Sequence, residues 1–212
     1  MEKPVRKPLF AIVAAIVLGA AAVLFLFGGR GTPGDTSAEA GFARDMATHH
    51  AQAVEMSFII RDKSQSREIR SLAFDIINTQ ANQRGMFLGW LQQWGVSQAT
   101  DLPEMAWMSG HAHASAANWK PGDPMPGMAT REELAKLREL EGTEAEVLFL
   151  QLMIRHHEGG VEMSEGVIRM SNRDEVVSLA HKMVTGQKGE IDLMNKMLKH
   201  RNAEPFPSIL RS

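Results

Sequence analysis

The chain has 212 residues, enough for one good-sized domain with accessories, and its 25 acidic and 23 basic side chains leave a net charge of −2 with histidine neutral. So even a balance gives no electrostatic footprint for nucleic acid. Cysteine is absent, which removes disulfides, thiolate metal sites and cysteine nucleophiles together, while methionine is abundant at 14 residues, many of them close to histidine.

At the N-terminus Lys3, Arg6 and Lys7 precede the uncharged run LFAIVAAIVLGAAAVLFLF, Leu9 to Phe27. Nineteen residues at a rise of ~1.5 Å cover about 28 Å, one hydrocarbon core. With the basic flank cytoplasmic, the sequence predicts a single-pass membrane anchor and an extracytoplasmic domain after Gly28. The alternative is a cleaved signal peptide ending at AEA, Ala38 to Ala40. However, the apolar run exceeds the usual signal core of about 7–15 residues, and this site lies well past its end. Residues 1–28 are read as cytoplasmic stub and anchor, and the Gly- and Pro-bearing residues 29–39 as a linker.

Residues 40–202 are organised by an internal repeat. FARDMATHHAQAVEMS (Phe42 to Ser57) aligns without a gap on FLQLMIRHHEGGVEMS (Phe149 to Ser164). The offset is 107 residues, and it also brings Gln80 onto Gln187 and Leu91 onto Leu198. The repeat units are 42–95 and 149–202, joined by a Met- and His-rich connecting segment, 96–148, and followed by a tail, 203–212. Each unit reads as two helices, the second near Arg67 to Trp94 and near Asp174 to Lys199, with apolar residues at helical spacing (Ile69, Leu72, Ala73, Ile76). Capping-box spacings occur at Thr130/Glu133, Thr143/Glu146 and Asn172/Glu175. No stretch alternates long enough to suggest a strand. The predicted fold is all-α, a four-helix bundle of two repeated hairpins preceded by one transmembrane helix.

On a wheel at about 100° per residue, Met46, His49, Ala53 and Met56 share one apolar sector with His50 on its flank. Met153, His156, Gly160 and Met163 repeat this arrangement, flanked by His157. The small residues Ala51, Ala53, Gly159 and Gly160 are expected to let a neighbouring helix come close. Four imidazoles on buried faces are costly unless paired, and packing alone, with hydrogen bonds among the histidines and Asp45, is the competing account. Imidazole nitrogen with thioether sulfur suits a soft ion, Cu(I) first with Ag(I) as its mimic. Zinc accounts for the histidines but not the methionines. A carboxylate-bridged di-iron centre needs Glu-x-x-His, which is absent. In the connecting segment Met105, Met108, His111, His113, Met125 and Met128 are candidates for metal capture or, equally, for anchoring the loop.

DMATHHAQAVEMS, MPGM followed by a short helix, MIRHHEGGVEMS and a Gln-bearing second helix together resemble the bacterial domain-of-unknown-function 305 family. The resemblance covers roughly Ala40 to Asn202. It implies a ferritin-like four-helix fold and, by way of exported copper-binding members of the CopM type, copper binding. By position it implies metal contacts from Met46, His49, His50, Met56, Met153, His156, His157 and Met163. Asp45, matched by Leu152 in the second unit, is a candidate for orienting an imidazole. After the Gln of the second helix the family tends to carry an acidic residue and Met. Unit two keeps these as Glu190 and Met194, whereas unit one has Arg84 and Phe87.

The function expected is a membrane-tethered, extracytoplasmic protein that sequesters or passes on Cu(I), with another copper-handling envelope protein as a partner and oligomers allowed. No nucleophile triad, phosphate loop or acid/base pair suggests an enzyme. Two alternatives stay open: a copper-dependent redox enzyme of the envelope, and an interaction module whose histidines are structural.

Overall fold

The computed structural model describes residues 31–109 and 123–210, so the anchor expected at Leu9 to Phe27 and the His111/His113 pair lie outside the described residues. Among the described residues there are five α-helices, one 3₁₀ turn and no strand, and no helix is long and apolar enough to cross a membrane. The helices all belong to one unit that begins at Gly34.

Helix α1 (Ala38–Lys63) starts at Ser37, whose hydroxyl accepts the Ala40 N–H at 3.2 Å. Helix α2 (Arg67–Trp94) starts at Ser66 in the same way and ends at Gly95, whose φ of +69° is the left-handed stop that glycine adopts without penalty. A 3₁₀ turn (Ala106–Met108) interrupts the connecting segment, and α3 (Arg131–Glu139) opens with a complete capping box between Thr130 and Glu133. Helices α4 (Gly142–Met170) and α5 (Asp174–Lys199) form the second hairpin.

Two of the three expected capping boxes do not form. Helix α4 begins one residue before Thr143, and Glu146 is instead buried between Ser64 Oγ (2.5 Å) and Arg201 Nε (2.8 Å). Helix α5 is entered from Arg173, whose N–H is accepted by Ser171 Oγ, so Asn172 lies outside the cap. At Glu146 a longer-range pairing replaced the local one that the spacing suggested.

Helix α1 packs along α2, α4 along α5, and the hairpins meet through α1 against α4. Two apolar clusters fill the interior. One joins the second half of α1 (Ala53, Met56, Ile60) to the first half of α4 (Phe149, Leu152, Met153), and the other joins the first half of α1 (Phe42, Met46) to the second half of α4 (Met163, Val167). The two central helices therefore run antiparallel about a local twofold. The repeat continues past its expected ends: Arg44 Nε donates to Ser97 O and Gln151 Nε2 to Glu204 O, and both pairs of positions are related by the 107-residue offset. Residues 203–210 are thereby laid along α4, where Glu158 accepts Ser208 Oγ (2.6 Å) and the Ile209 N–H (2.9 Å). All nine residues from His156 to Ser164 are buried.

Candidate metal centre

The four histidines lie between the two apolar clusters, each wholly buried. At the local twofold the rings of His49 and His156 face one another with centroids 3.7 Å apart and planes tilted by 34°. His50 and His157 flank them, each 6.4 Å from its neighbour in sequence. Every ring has one oxygen partner at Nε2. His49 meets Pro126 O (3.1 Å), His156 meets His49 O (3.1 Å), His50 meets Gln83 Oε1 (2.7 Å) and His157 meets Glu190 Oε2 (2.6 Å).

Burial, reinforced by the neighbouring imidazoles, pushes His49 down to about 4, His50 to about 3 and His156 well below the ordinary histidine range. These rings are neutral at pH 7. Their Nε2 partners are oxygens that accept, so the proton sits on Nε2 and the lone pair on Nδ1. The Nδ1 atoms of His49, His50, His156 and His157 are all buried without a hydrogen-bond partner. Each orphaned polar atom costs roughly 1–3 kcal/mol, so the packing account leaves a substantial penalty unexplained. Hydrogen-bonding one ring nitrogen while baring the other is how proteins prepare a histidine for metal.

Each apolar cluster holds methionines from both repeats. Met46 shares a cluster with Met163, and Met56 shares the other with Met153; all four are fully buried. Among the described residues no three His, Asp or Glu side chains converge tightly enough to hold an ion by themselves. The thioethers of Met46, Met56, Met153 and Met163 are soft donors buried on the same two helices as the imidazoles.

Asp45 does not orient an imidazole. Its Oδ2 accepts the Met105 N–H and the Trp107 Nε1–H, both at 2.8 Å, and burial raises its carboxyl to about 6. It thus pins the connecting segment to α1 and holds Met105 at a φ of +61°. Replacing Asp45 with Ala strands two buried donors and is expected to cost about 1–3 kcal/mol for each, read as a lower urea midpoint at pH 8. The loop methionines that the structure describes are held on the body. Met105, Met108 and Met125 are buried in the cluster around Met46, and Met128 packs against it.

Gly159 admits a turn where a helix was expected, whereas Gly160 admits a side chain of the neighbouring helix α5. A Cβ on Gly159 would lie 1.9 Å from Pro126 O, and one on Gly160 would lie 2.4 Å from Oε1 of Gln187 on α5. What approaches α4 at Gly159 is the Met-Pro-Gly-Met turn, with Gly127 at φ +78° lying over the α4 backbone at Arg155 and His156. A two-way bond between the Gln52 amide and the Ala129 backbone holds this turn, as does Arg155, which donates to Met128 O and Glu133.

Gln52, Gln83 and the Pro126 carbonyl were not among the expected site residues. The signal for Gln83 was present, since it stands 107 residues before Glu190, and Arg84, set against Glu190 in the sequence reading, is exposed. Pro126 lies in the MPGM motif that the sequence reading singled out, but only Met125 and Met128 of it were candidates.

The family model described as Domain of unknown function (DUF305) matches residues 39–198. A DUF305 protein from Streptomyces coelicolor is 46% identical with a TM-score of 0.74, covering 82% of this chain and 99% of its own. A DUF305 fragment from Deinococcus radiodurans is 35% identical with a TM-score of 0.63, covering 77% and 96%. CopM in its Cu(I)-bound form shares the fold at 22% identity and a TM-score of 0.57, covering 76% and 96%. CopM has also been solved in Ag-bound and Cu(II)-bound forms. No curated protein matches the chain.

Proposed function

The chain belongs to the DUF305 family, and from that premise we propose that it is an extracytoplasmic, membrane-tethered protein that binds Cu(I) through histidine and methionine for sequestration or transfer. The observation that carries this reading is the set of four buried imidazoles whose Nε2 atoms are hydrogen-bonded and whose Nδ1 atoms are bare. Met46 with Met163 in one cluster, and Met56 with Met153 in the other, supply soft donors on either side. CopM, which shares the fold, binds Cu(I) and Ag, and the donor chemistry here suits the same ions. Tethering rests on the apolar run Leu9 to Phe27 behind a basic flank. The ferritin-like four-helix frame is assigned on the two hairpins and their local twofold.

In this reading copper is cargo. The backbone carbonyls of Pro126 and His49 fix the central ring orientations, and Gln83 and Glu190 fix the outer ones. The Met-Pro-Gly-Met turn and residues 203–210 keep water from α4. Neutral rings need lose no proton to accept a soft ion, so uptake near pH 7 meets no proton competition at His49, His50 or His156.

Anaerobic titration of the protein with Cu(I) against a chelating competitor tests the proposal. The wild type is expected to hold Cu(I) at least a thousandfold more tightly than free imidazole or methionine does. His156→Ala and His157→Ala are each expected to weaken it by a factor of ten or more. Binding no better than that of the free side chains, or binding indifferent to both substitutions, overturns the reading in favour of structural histidines.

A further inference from the structure

The two repeats bring matching imidazoles to the centre, yet what surrounds the two outer rings differs. His50 hydrogen-bonds a neutral amide, Gln83 Oε1 at 2.7 Å, while its repeat equivalent His157 hydrogen-bonds a carboxylate, Glu190 Oε2 at 2.6 Å. Phe87 places its ring edge-on to His50 with centroids 5.5 Å apart, and at the equivalent position the second unit has Met194, fully buried in the cluster that holds Met56 and Met153. Both differences act in one direction. A carboxylate behind an imidazole makes the free nitrogen the stronger donor. A thioether in place of a phenyl ring adds a soft ligand at that one position.

We infer that the two halves of the centre are unequal, and that a soft monovalent ion is held first and more tightly on the His157 side, with Glu190 positioning His157 and Met194 as an added thioether donor. This rests on the copper reading and refines it. The His50 side, backed by Gln83 and Phe87, is the weaker half, from which an ion is more readily given up. Glu190 is 28% exposed whereas His157 is wholly buried, and Gln83 is likewise half-buried beside the wholly buried His50, so both halves have a polar residue leading from solvent and differ in its charge.

Stepwise competition titration of the full chain with Ag(I), and anaerobically with Cu(I), tests the inference. The wild type is expected to bind a first ion at least tenfold more tightly than a second. Glu190→Gln keeps a hydrogen-bond acceptor for His157 and removes the charge. It is expected to weaken the first step by about ten- to a hundredfold, in line with other partners of metal-binding histidines, while the melting temperature of the metal-free protein moves by no more than a few degrees. Met194→Phe, which copies the first unit into the second, is expected to weaken the same step. The reciprocal Gln83→Glu and Phe87→Met are expected to strengthen the second step, a gain that a merely structural role would not give. Equal affinities in the wild type, an unchanged first step in Glu190→Gln, or no gain in the reciprocal variants would each overturn the inference and leave the copper reading standing. Failure of the wild type to bind either ion overturns that reading and the inference together.

Discussion

Lowering the pH from 6.5 towards 4 is expected to unfold the metal-free protein. In the native state burial holds His49 near 4, His50 near 3 and His156 well below its ordinary range, while in the unfolded chain all three titrate near 6.5. Between these values the unfolded state binds more protons than the native one, so stability falls as pH falls through the window and is flat above it. At about 1.4 kcal/mol per pH unit, one such imidazole gives up to about 3 kcal/mol between pH 6.5 and 4. Against the whole stability of a typical domain, about 5–15 kcal/mol, the loss is large.

Asp45 acts with the opposite sign. Its carboxyl is raised to about 6 from 3.8, so the native state holds that proton longer and gains stability on acidification through the same region. One carboxyl offsets only part of what the histidines lose. Urea unfolding followed by circular dichroism at pH 7, 5.5 and 4.5 is therefore expected to show a steeply falling midpoint. Cu(I) loading should shift the fall to lower pH, because ions and protons compete for the same imidazoles. A midpoint constant across the window would show that the imidazoles are not buried and neutral.

Gly159→Ala is the most damaging small substitution expected. In an exposed helix interior the change would gain up to about 1 kcal/mol. At Gly159 the new methyl would lie 1.9 Å from the Pro126 carbonyl oxygen and 2.4 Å from its carbon, both backbone atoms of a turn fastened by Gln52 and Arg155. Overlap of this kind is expected to cost about 3 kcal/mol, the upper end for overpacking. It should also lift Pro126 O from His49 Nε2. Gly186→Ala on α5 is the matched control: nothing lies within 4 Å of its Cβ, so it should hold or raise stability. Denaturant midpoints for the two variants should move in opposite directions. Limited proteolysis within residues 123–130 should quicken only in Gly159→Ala.

The repeat, the long helices and the buried His/Met faces were legible because periodicity reports which side of a helix is covered. The second helix of each hairpin occupies the range its apolar spacing indicated, Arg67–Trp94 and Asp174–Lys199. Periodicity does not report what does the covering. Gly159 looked like a seat for a helix and instead holds a turn, whereas Gly160 does receive a side chain of α5, Gln187. Asp45 looked like a partner for a neighbouring histidine, but its carboxylate secures Met105 and Trp107, some sixty residues further along the chain. Thr143 and Glu146 had the spacing of a cap, yet Arg201 and Ser64 claimed the glutamate. Each miss turns on a contact between residues distant in sequence, chosen by tertiary geometry over a local motif.

The local twofold between His49 and His156 has a bearing on descent. A lone hairpin of some fifty residues would leave its imidazole face open to water, and two identical copies would close that face by dimerising about a dyad, as isologous pairs do. The present chain holds in one molecule what such an ancestor would have held across a subunit boundary. Within a single chain each copy is free to carry its own residues. Glu190 and Met194 on one side, and Gln83 and Phe87 on the other, are differences that a symmetric dimer could not have kept.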